Sequence, residues 1–331
     1  MSQELLKYKT KRLAELKNIY NNNCLITTQY YNNIINSILK SSTLNKSKQI
    51  NTTKNVLASN ISNLTTKYNA DCLAIQNFTP KQIIINKNKK ALLIGINYTG
   101  TKNELFGCIN DVNGIKERIT QQGFTSINTI TDLTSTKPTR VTILKEFTNL
   151  LINSQSGDLL FFMYSGHGYY TLDRNSDEKD GYDELIVTSD LKSVTDDEFK
   201  KIIQQNLKQG VTLFAMFDSC FSGSMLDLKY QYMDSLNFDN YTENDKDINT
   251  NGNVFMISGC TDEQTSADAV INNKASGAMT WSLLESLKQT PNVTWRELVK
   301  SMRDLLKKSK YDQIPQFSSG TFVNIDTKVF I

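Results

Sequence analysis

The pattern of apolar and polar residues predicts that residues 1–85 are built differently from the rest of the chain. In this region apolar side chains recur every three to four positions, the spacing of a helix with one buried face. The segment NKSKQINTT (45–53) has the composition of a turn between two helices. The alternative is that this Asn-rich region is partly disordered. We predict a hairpin of two helices, with faces formed by Leu6, Leu13, Leu16 and Tyr20 and by Leu57, Ile61, Leu64 and Tyr68.

From residue 86 to residue 331, short apolar runs alternate with helical patterns. Strands that are apolar on both faces and alternate with helices indicate an α/β domain with a mostly parallel central sheet and helices on both faces. In such sheets, ligands gather at the carboxyl ends of the strands. The predicted strands are 90–98, 126–132, 158–168, 211–220 and 253–260, and the predicted helices are 110–124, 140–154, 195–207, 279–290 and 294–310.

Composition narrows the class of protein. The 37 basic and 34 acidic residues leave a net charge of +3, which argues against nucleic acid or a polybasic membrane contact as a partner. The charged N-terminus is not a signal peptide, and no apolar run is long enough to span a bilayer, so we predict a soluble, cytoplasmic protein. Five scattered cysteines without a CxxC pair favour reduced thiols over structural zinc.

Polar clusters that contain one histidine and one cysteine follow two of the predicted strands. His167, the single histidine, stands between two glycines after the strand 158–168, and Cys220 ends the strand 211–220. Each could be ordinary, as a histidine in a turn or an inert buried cysteine. Both fall at the same edge of the sheet, however, and their spacing (220 − 167 = 53) is close to the roughly 50 residues of caspases. A thiolate beside a base is a nucleophile, so the two residues are a candidate catalytic pair. The caspase cysteine signature itself is absent, and the spacing alone does not identify the family.

The strings YSGHG (164–168) and DSCFSG (218–223) resemble the catalytic motifs of metacaspases. Phe221 departs from the common form, in which a histidine follows the cysteine. Further similar strings run in the family's order over residues 88–331: NKKALLIGINY, LFGCINDV, DGYDELIV, SGCTDEQTSAD and IPQFSSG. The resemblance implies a caspase-like fold with a large-subunit-like part (86–228), a linker (229–252) and a small-subunit-like part (253–331).

The resemblance also implies a calcium-dependent cysteine endopeptidase that cuts after Arg or Lys. Cys220 would attack the peptide carbonyl, His167 would move the protons, and the backbone amides of Gly168 and Cys220 would form the oxyanion hole. No group that orients the histidine can be identified from the sequence. The residues that match the family's specificity pocket are Cys108, Asp111, Ser165 and Asp218.

Two pocket carboxylates would repel each other unless a cation joins them, and a substrate Arg or Lys supplies one. The alternative for each is local: Asp111 would cap the helix 110–124, and Asp218 would cap the turn after its strand.

An acidic stretch follows His167. Its run DRNSDEKDGYDE begins like an EF-hand loop, but Glu178 stands where that loop needs glycine, so we reject an EF-hand. The family resemblance instead implies Ca²⁺ as a cofactor. The alternative is a solvated acidic loop, and Thr195 is a competing choice within the 195–197 ligand stretch. The calcium ligands implied are Asp183, Asp196, Asp197 and Asp227.

Basic residues in polar segments suggest self-cleavage, with Lys229, Lys246 and the strip 81–90 as candidate sites and the N-terminal helices as a pro-region. We expect a monomer whose partners are peptide substrates. Three other functions stay open. These are a catalytically silent caspase-like interaction protein, a protease of aspartate specificity and a nucleotide-binding domain, although no glycine-rich phosphate loop follows the first strand.

Overall fold

The computed structural model describes most of the chain in two compact units, Met1–Lys81 and Gln82–Ile331. Several predicted features lie outside the described residues: Phe221, Lys246, the acidic run from 173 to 181, residues 260–267 of the string SGCTDEQTSAD, and residues 81–82 of the strip 81–90. No helix within the described ranges is long and apolar enough to cross a membrane. The described residues are 3–42, 44–79, 83–172, 182–220, 222–223, 225–232, 242–243, 250–259, 268–271 and 274–331.

The N-terminal unit is a hairpin of two long helices, α1 (Gln3–Lys40) and α2 (Lys46–Asn77). Tyr20 and Tyr68 stack at 4.6 Å between ring centroids, which confirms that the two predicted faces meet. The predicted turn at 45–53 is wrong, because α2 already begins at Lys46. The first helix ends at Lys40, and Asn45, which directly precedes the second, takes the left-handed conformation (φ 68°) that asparagine tolerates.

The second unit contains thirteen described strands and five helices. The helices are α3 (Cys108–Gln121), α4 (Arg140–Ile152), α5 (Asp196–Asn206), α6 (Ala278–Gln289) and α7 (Trp295–Lys308). The strands are β1 (Lys89–Gly95), β2 (Ser126–Thr131), β3 (Leu159–Ser165), β4 (Gly168–Leu172), β5 (Tyr182–Val187), β6 (Ser193–Thr195), β7 (Thr212–Asp218), β8 (Tyr230–Tyr232), β9 (Thr242–Glu243), β10 (Asn253–Ser258), β11 (Asp268–Ile271), β12 (Lys274–Gly277) and β13 (Gln316–Ser319).

The main sheet has eight strands in the order β2-β1-β3-β7-β10-β13-β8-β9. The first five are parallel, and β13, β8 and β9 continue the sheet antiparallel. Every residue of β3, β7 and β10 is buried, as the continuous apolar runs require. The α/β architecture with a mostly parallel sheet is therefore confirmed.

Helices cover both faces of this sheet. Phe161 and Phe162 follow each other in β3, so their side chains point to opposite faces. Phe162 contacts Phe147 of α4, with ring centroids 4.8 Å apart. Phe161 contacts Phe214 at 5.2 Å, and that ring packs on Trp295 of α7 at 5.1 Å. The predicted two-sided layer is thus confirmed.

Short strands appear where the sequence predicted loops. A small sheet, β4-β5-β6, follows the turn after β3, and β11 pairs with β12. Two strands, β8 and β9, lie within the predicted linker 229–252, so that segment is not simply a long loop. Its start is held by packing, since Tyr230 and Tyr232 are buried against Phe322 and Phe317.

Candidate active site

The ends of β3 and β7 bring the predicted histidine and cysteine to one rim. These strands are parallel neighbours, and Ser165 is the register partner of Asp218. His167 and Cys220 each stand two residues beyond that pair (167 − 165 = 2; 220 − 218 = 2). The amide of Gly166 donates to the Asp218 carbonyl at 3.3 Å, so the two turns stay joined past the strand ends. Both residues are partly exposed, which keeps the rim accessible to a peptide.

The backbone of Gly168 packs directly on the backbone of Cys220. A methyl group on Gly168 would overlap the Cys220 carbonyl oxygen and lie 3.1 Å from both Cys220 C and Ser219 Cβ. Only glycine permits this approach. The two residues whose amides the family resemblance assigns to the oxyanion hole are therefore neighbours in space.

The ring of His167 is held by a backbone carbonyl. Nε2 lies 2.8 Å from the oxygen of Asn103, in the loop before α3. A carbonyl can only accept, so Nε2 carries the hydrogen and Nδ1 is the nitrogen that can take up a proton. Sequence reasoning missed this orienting group because a main-chain carbonyl has no residue-type signal.

Two buried tyrosines hold the main chain of His167. Its amide donates to the Tyr98 hydroxyl at 3.0 Å, and the Tyr164 hydroxyl donates to its carbonyl at 2.8 Å. The Tyr98 ring also contacts the imidazole, with centroids 4.7 Å apart. Burial raises the pKa of both tyrosines far above the usual value, so both keep their hydroxyl hydrogens. The sequence contained both residues in its motifs but did not indicate this role.

The four predicted pocket residues lie on three neighbouring elements. Cys108 and Asp111 are one turn apart on α3, and Ser165 and Asp218 end β3 and β7. All four are buried, and the Ser165 hydroxyl donates to Asp111 Oδ2 at 2.9 Å. Asp111 therefore bonds outside its own helix and is not only a cap of that helix. Burial and the nearby charge of Asp218 raise the pKa of Asp111 to about 7.

The sequence did not predict a further segment that contacts the two pocket carboxylates. This segment comes from the end of β12 and the first turn of α6. The Ser276 hydroxyl donates to Asp111 Oδ1 at 2.5 Å, and the Gly277 amide lies 3.0 Å from both Asp111 oxygens. Thr280 donates to Asp218 Oδ2 through its amide at 2.9 Å and its hydroxyl at 2.7 Å. The two carboxylates thus converge on one short segment.

Three of the four predicted calcium ligands form a cluster. Asp183 lies on β5, and Asp196 and Asp197 begin α5. Carboxylate oxygens of these three residues lie within 4.8 Å of one another. Burial and the charge of Asp227 raise the pKa of Asp196 to about 8. Asp196 accepts from the Glu184 amide at 2.8 Å, which fixes its orientation.

The fourth predicted ligand, Asp227, adjoins the cluster. It is buried, has a positive φ of 45°, and pairs with the ammonium group of Lys200 at 3.3 Å. Buried carboxylates that repel one another suit a hard divalent cation, which takes oxygen ligands and relieves the repulsion. The donor set present here therefore fits Ca²⁺. Thr195, the competing choice, instead caps α5 in a reciprocal arrangement with Glu198.

Comparison with known proteins gives concordant matches. The family described as "Metacaspase, peptidase C14 domain" matches residues 89–229. The chain is similar to Metacaspase-1 of Candida albicans, with 35% identity over 306 residues, covering 74% of this chain and 68% of that protein. It is also similar to Metacaspase-1A of Aspergillus fumigatus, with 36% identity over 282 residues, covering 70% of this chain and 68% of that one.

Among solved structures, protein GSU0716 from Geobacter sulfurreducens is similar, with a TM-score of 0.56 and 22% identity. The match covers 74% of this chain and 98% of that one. At that identity the likeness concerns the fold alone.

Proposed function

The chain belongs to the metacaspase family of cysteine peptidases, and from that premise we propose a calcium-dependent endopeptidase that cuts after Arg or Lys with Cys220 and His167. The observation that carries the proposal is the register of β3 and β7, which sets these two residues at one rim directly beside the two buried carboxylates of the pocket. Family membership implies protein substrates and a caspase-like fold.

The proposed chemistry begins with the thiol. His167 Nδ1 takes the proton of Cys220 as Sγ bonds to the peptide carbonyl carbon, and the carbonyl electron pair moves to oxygen. The amides of Gly168 and Cys220 stabilise that oxyanion. As the tetrahedral intermediate collapses, the C–N bond breaks and the imidazolium gives its proton to the leaving amine. Water then attacks the thioester, His167 takes the water proton, and the acid and the thiol are released.

The Asn103 carbonyl supports this role for the histidine. Holding the Nε2 hydrogen fixes the tautomer in which Nδ1 is basic, and the bond grows stronger when the ring becomes positive. The two tyrosine hydroxyls keep the backbone of His167 from rotating away. We therefore assign positioning roles to Tyr98 and Tyr164, and no direct contact with the reacting atoms.

Specificity for Arg or Lys follows from the charge of the pocket. Asp111 and Asp218 are buried and repel each other, so a substrate cation placed between them gains two attractions. A substrate aspartate would add a third negative charge. This favours basic over aspartate specificity.

When bound, Ca²⁺ would supply charge neutralisation to the acidic cluster. Asp183, Asp196, Asp197 and Asp227 would hold it, and they belong to β5, α5 and the segment after Cys220. A cation shared by these elements would order the segment that carries the nucleophile. Self-cleavage stays part of the proposal, with Lys229 and the strip 81–90, described from residue 83 onward, as candidate sites. The monomeric state and the cytoplasmic location stay predictions of the sequence.

The proposal is tested by rates on matched peptide amides that end in Arg, Lys or Asp, each with Ca²⁺ or with chelator. We expect cleavage of the Arg and Lys substrates only, only with Ca²⁺, and none by Cys220→Ala. A Cys220→Ala protein that keeps the full rate, or a preference for the Asp substrate, would contradict the proposal. Mass mapping of the same digests reports self-cleavage, which should yield fragments that end in Lys or Arg.

A further inference from the structure

We propose that Gly277 and Thr280, at the junction of β12 and α6, determine the specificity of the pocket by setting where its two carboxylates meet. The proposal rests on the proposed Arg or Lys specificity and extends it to residues outside the catalytic motifs. It concerns the shape of the pocket and not the reacting atoms, so both are specificity-determining residues.

The backbone does not need glycine at position 277. Its φ of −62° and ψ of 133° are ordinary values for any L-residue. What excludes a side chain is the space beside the Cα atom. A methyl group there would overlap Asp218 Oδ2, and would lie 2.7 Å from Asp218 Cγ and 2.9 Å from Asp111 Oδ2. Position 277 thus lies against both carboxylates at once, and glycine leaves them room to converge.

The same segment also supplies donors to both carboxylates. The Gly277 amide contacts both oxygens of Asp111 at 3.0 Å. Thr280 is the third residue of α6, so its amide is one of the first-turn donors that have no partner within the helix. It donates to Asp218 at 2.9 Å, and its hydroxyl does so at 2.7 Å. The positive end of α6 therefore faces the Asp218 carboxylate.

The two features act together. The absence of a side chain at Gly277 sets the separation of the Asp111 and Asp218 carboxylates. The two hydrogen bonds from Thr280 fix the rotation of the Asp218 side chain. A substrate guanidinium binds through a planar fork, so its affinity depends on where the accepting oxygens point. A methyl group at 277 would push Asp218 away from Thr280 and out of that arrangement.

The test compares Gly277→Ala with Gly114→Ala, both in protein loaded with Ca²⁺. The control glycine lies within α3, and a methyl there would meet only the flexible end of Leu284. Readouts are KM and kcat on Arg-ended and Lys-ended amides, the melting temperature, and the iodoacetamide alkylation rate of the peptide that contains Cys220. Alkylation reports the nucleophile without using the pocket.

We expect Gly277→Ala to lose about a hundredfold in kcat/KM on the Arg substrate, mostly through KM, because misplacement by about 1 Å has an effect of that size. Alkylation and melting should stay near those of the unaltered protein, and Gly114→Ala should match it throughout. Unchanged KM in Gly277→Ala, with Arg cleavage intact, would overturn this inference alone. Absence of Arg and Lys cleavage by the unaltered protein would overturn the proposed function and this inference together.

A second pair of variants covers the case in which Gly277→Ala does not fold. Thr280→Val keeps the shape but removes the hydroxyl donor, and Thr280→Ser keeps both donors. We expect Val to raise KM for the Arg substrate on the order of tenfold, the effect of leaving a buried carboxylate without one donor. Thr280→Ser should keep the KM of the unaltered protein for the Arg substrate. Equal KM values in the two variants would overturn the role of Thr280.

Discussion

Two groups of buried carboxylates lie in the catalytic unit, and they are satisfied in different ways. In the pocket, Asp111 accepts from hydroxyl and amide donors on β3 and β12. In the acidic cluster, Asp196 accepts from the backbone amides of Glu184 and Asp197, and its other close neighbours include carboxylates. Burial and a nearby like charge raise the pKa in both places, to about 7 for Asp111 and to about 8 for Asp196.

The difference indicates what each group is built to bind. A pair held by neutral donors suits a transient cation of one charge, such as a substrate side chain, whose arrival favours the charged form of Asp111. A cluster of three carboxylates with the buried Asp227 beside it calls for more positive charge, which a resident divalent ion would supply. In the function proposed above, the same physical cause would serve substrate selection at one place and metal binding at the other. Four experiments test whether the two groups differ in this way.

The largest effect is expected from Asp218→Asn. Removing one of two buried carboxylates leaves the substrate cation with half of its charge partners, which should lower kcat/KM on Arg-ended amides about a thousandfold. Thermal stabilisation by Ca²⁺ should stay the same, because the acidic cluster is intact. If Asp218→Asn weakens Ca²⁺ binding as strongly as substrate cleavage, the two groups are not separate sites.

Asp196→Asn should act in the opposite way. Loss of a ligand should weaken Ca²⁺ binding about a hundredfold, measured by calorimetry. In chelator at neutral pH the variant should melt higher than the unaltered protein, because the raised pKa of Asp196 costs the folded state stability there and an amide avoids that cost. Asp304→Asn, at an exposed position on α7, is the matched control and should change neither value. A variant that melts lower in chelator would show that Asp196 is stabilising without metal.

A smaller effect is expected from pH. The folded-state pKa of Asp111 is about 7 against an ordinary 3.8, so the folded protein keeps this proton to higher pH than the unfolded chain does. The contribution of this proton to the free energy of unfolding is fully present below about pH 4 and is lost as the pH rises through about 7. Urea unfolding of Asp111→Asn in chelator should therefore show a shallower decline between pH 5 and pH 8.

Substrate binding should have the opposite pH trend, because KM for Arg substrates should rise as pH falls below 7 and Asp111 becomes neutral. Alkylation of Cys220 should not follow that KM profile. If KM does not change between pH 8 and pH 6, Asp111 stays charged over that range. The raised pKa of Asp111 would then no longer support the comparison with Asp196.

The smallest effect is expected from Lys200→Met. The Lys200 ammonium group is the cation that pairs with buried Asp227, so its removal should lower the melting temperature in chelator by several degrees. Saturating Ca²⁺ should narrow that difference, because the ion neutralises the same carboxylates. Lys201→Met, which is exposed on the same helix, is the control. Equal loss with and without Ca²⁺ would place Lys200 outside the metal site.

Much of the fold was predictable because the signals are local. The apolar runs of β3 and β7 and the glycines beside His167 predict buried strands that end in a catalytic turn, and the structure has both strands. The short strands β8 and β12 were missed, since three or four residues carry too little periodicity to be distinguished from a loop. The turn in the N-terminal hairpin was misplaced because polar residues suit both a turn and an exposed helix face.

Motifs and periodicity were enough to assign the family, the strand and helix order and the candidate nucleophile, base and carboxylates, because these signals lie within short stretches of chain. What surrounds those residues depends on tertiary packing. It brings Ser276 to Asp111 across 165 positions, Asn103 to His167, and Lys200 to Asp227. A hydroxyl, a main-chain carbonyl or a lysine is common everywhere in a sequence. Such groups acquire a specific role only when packing of the sheet and helices sets them beside a buried charge or a reactive ring.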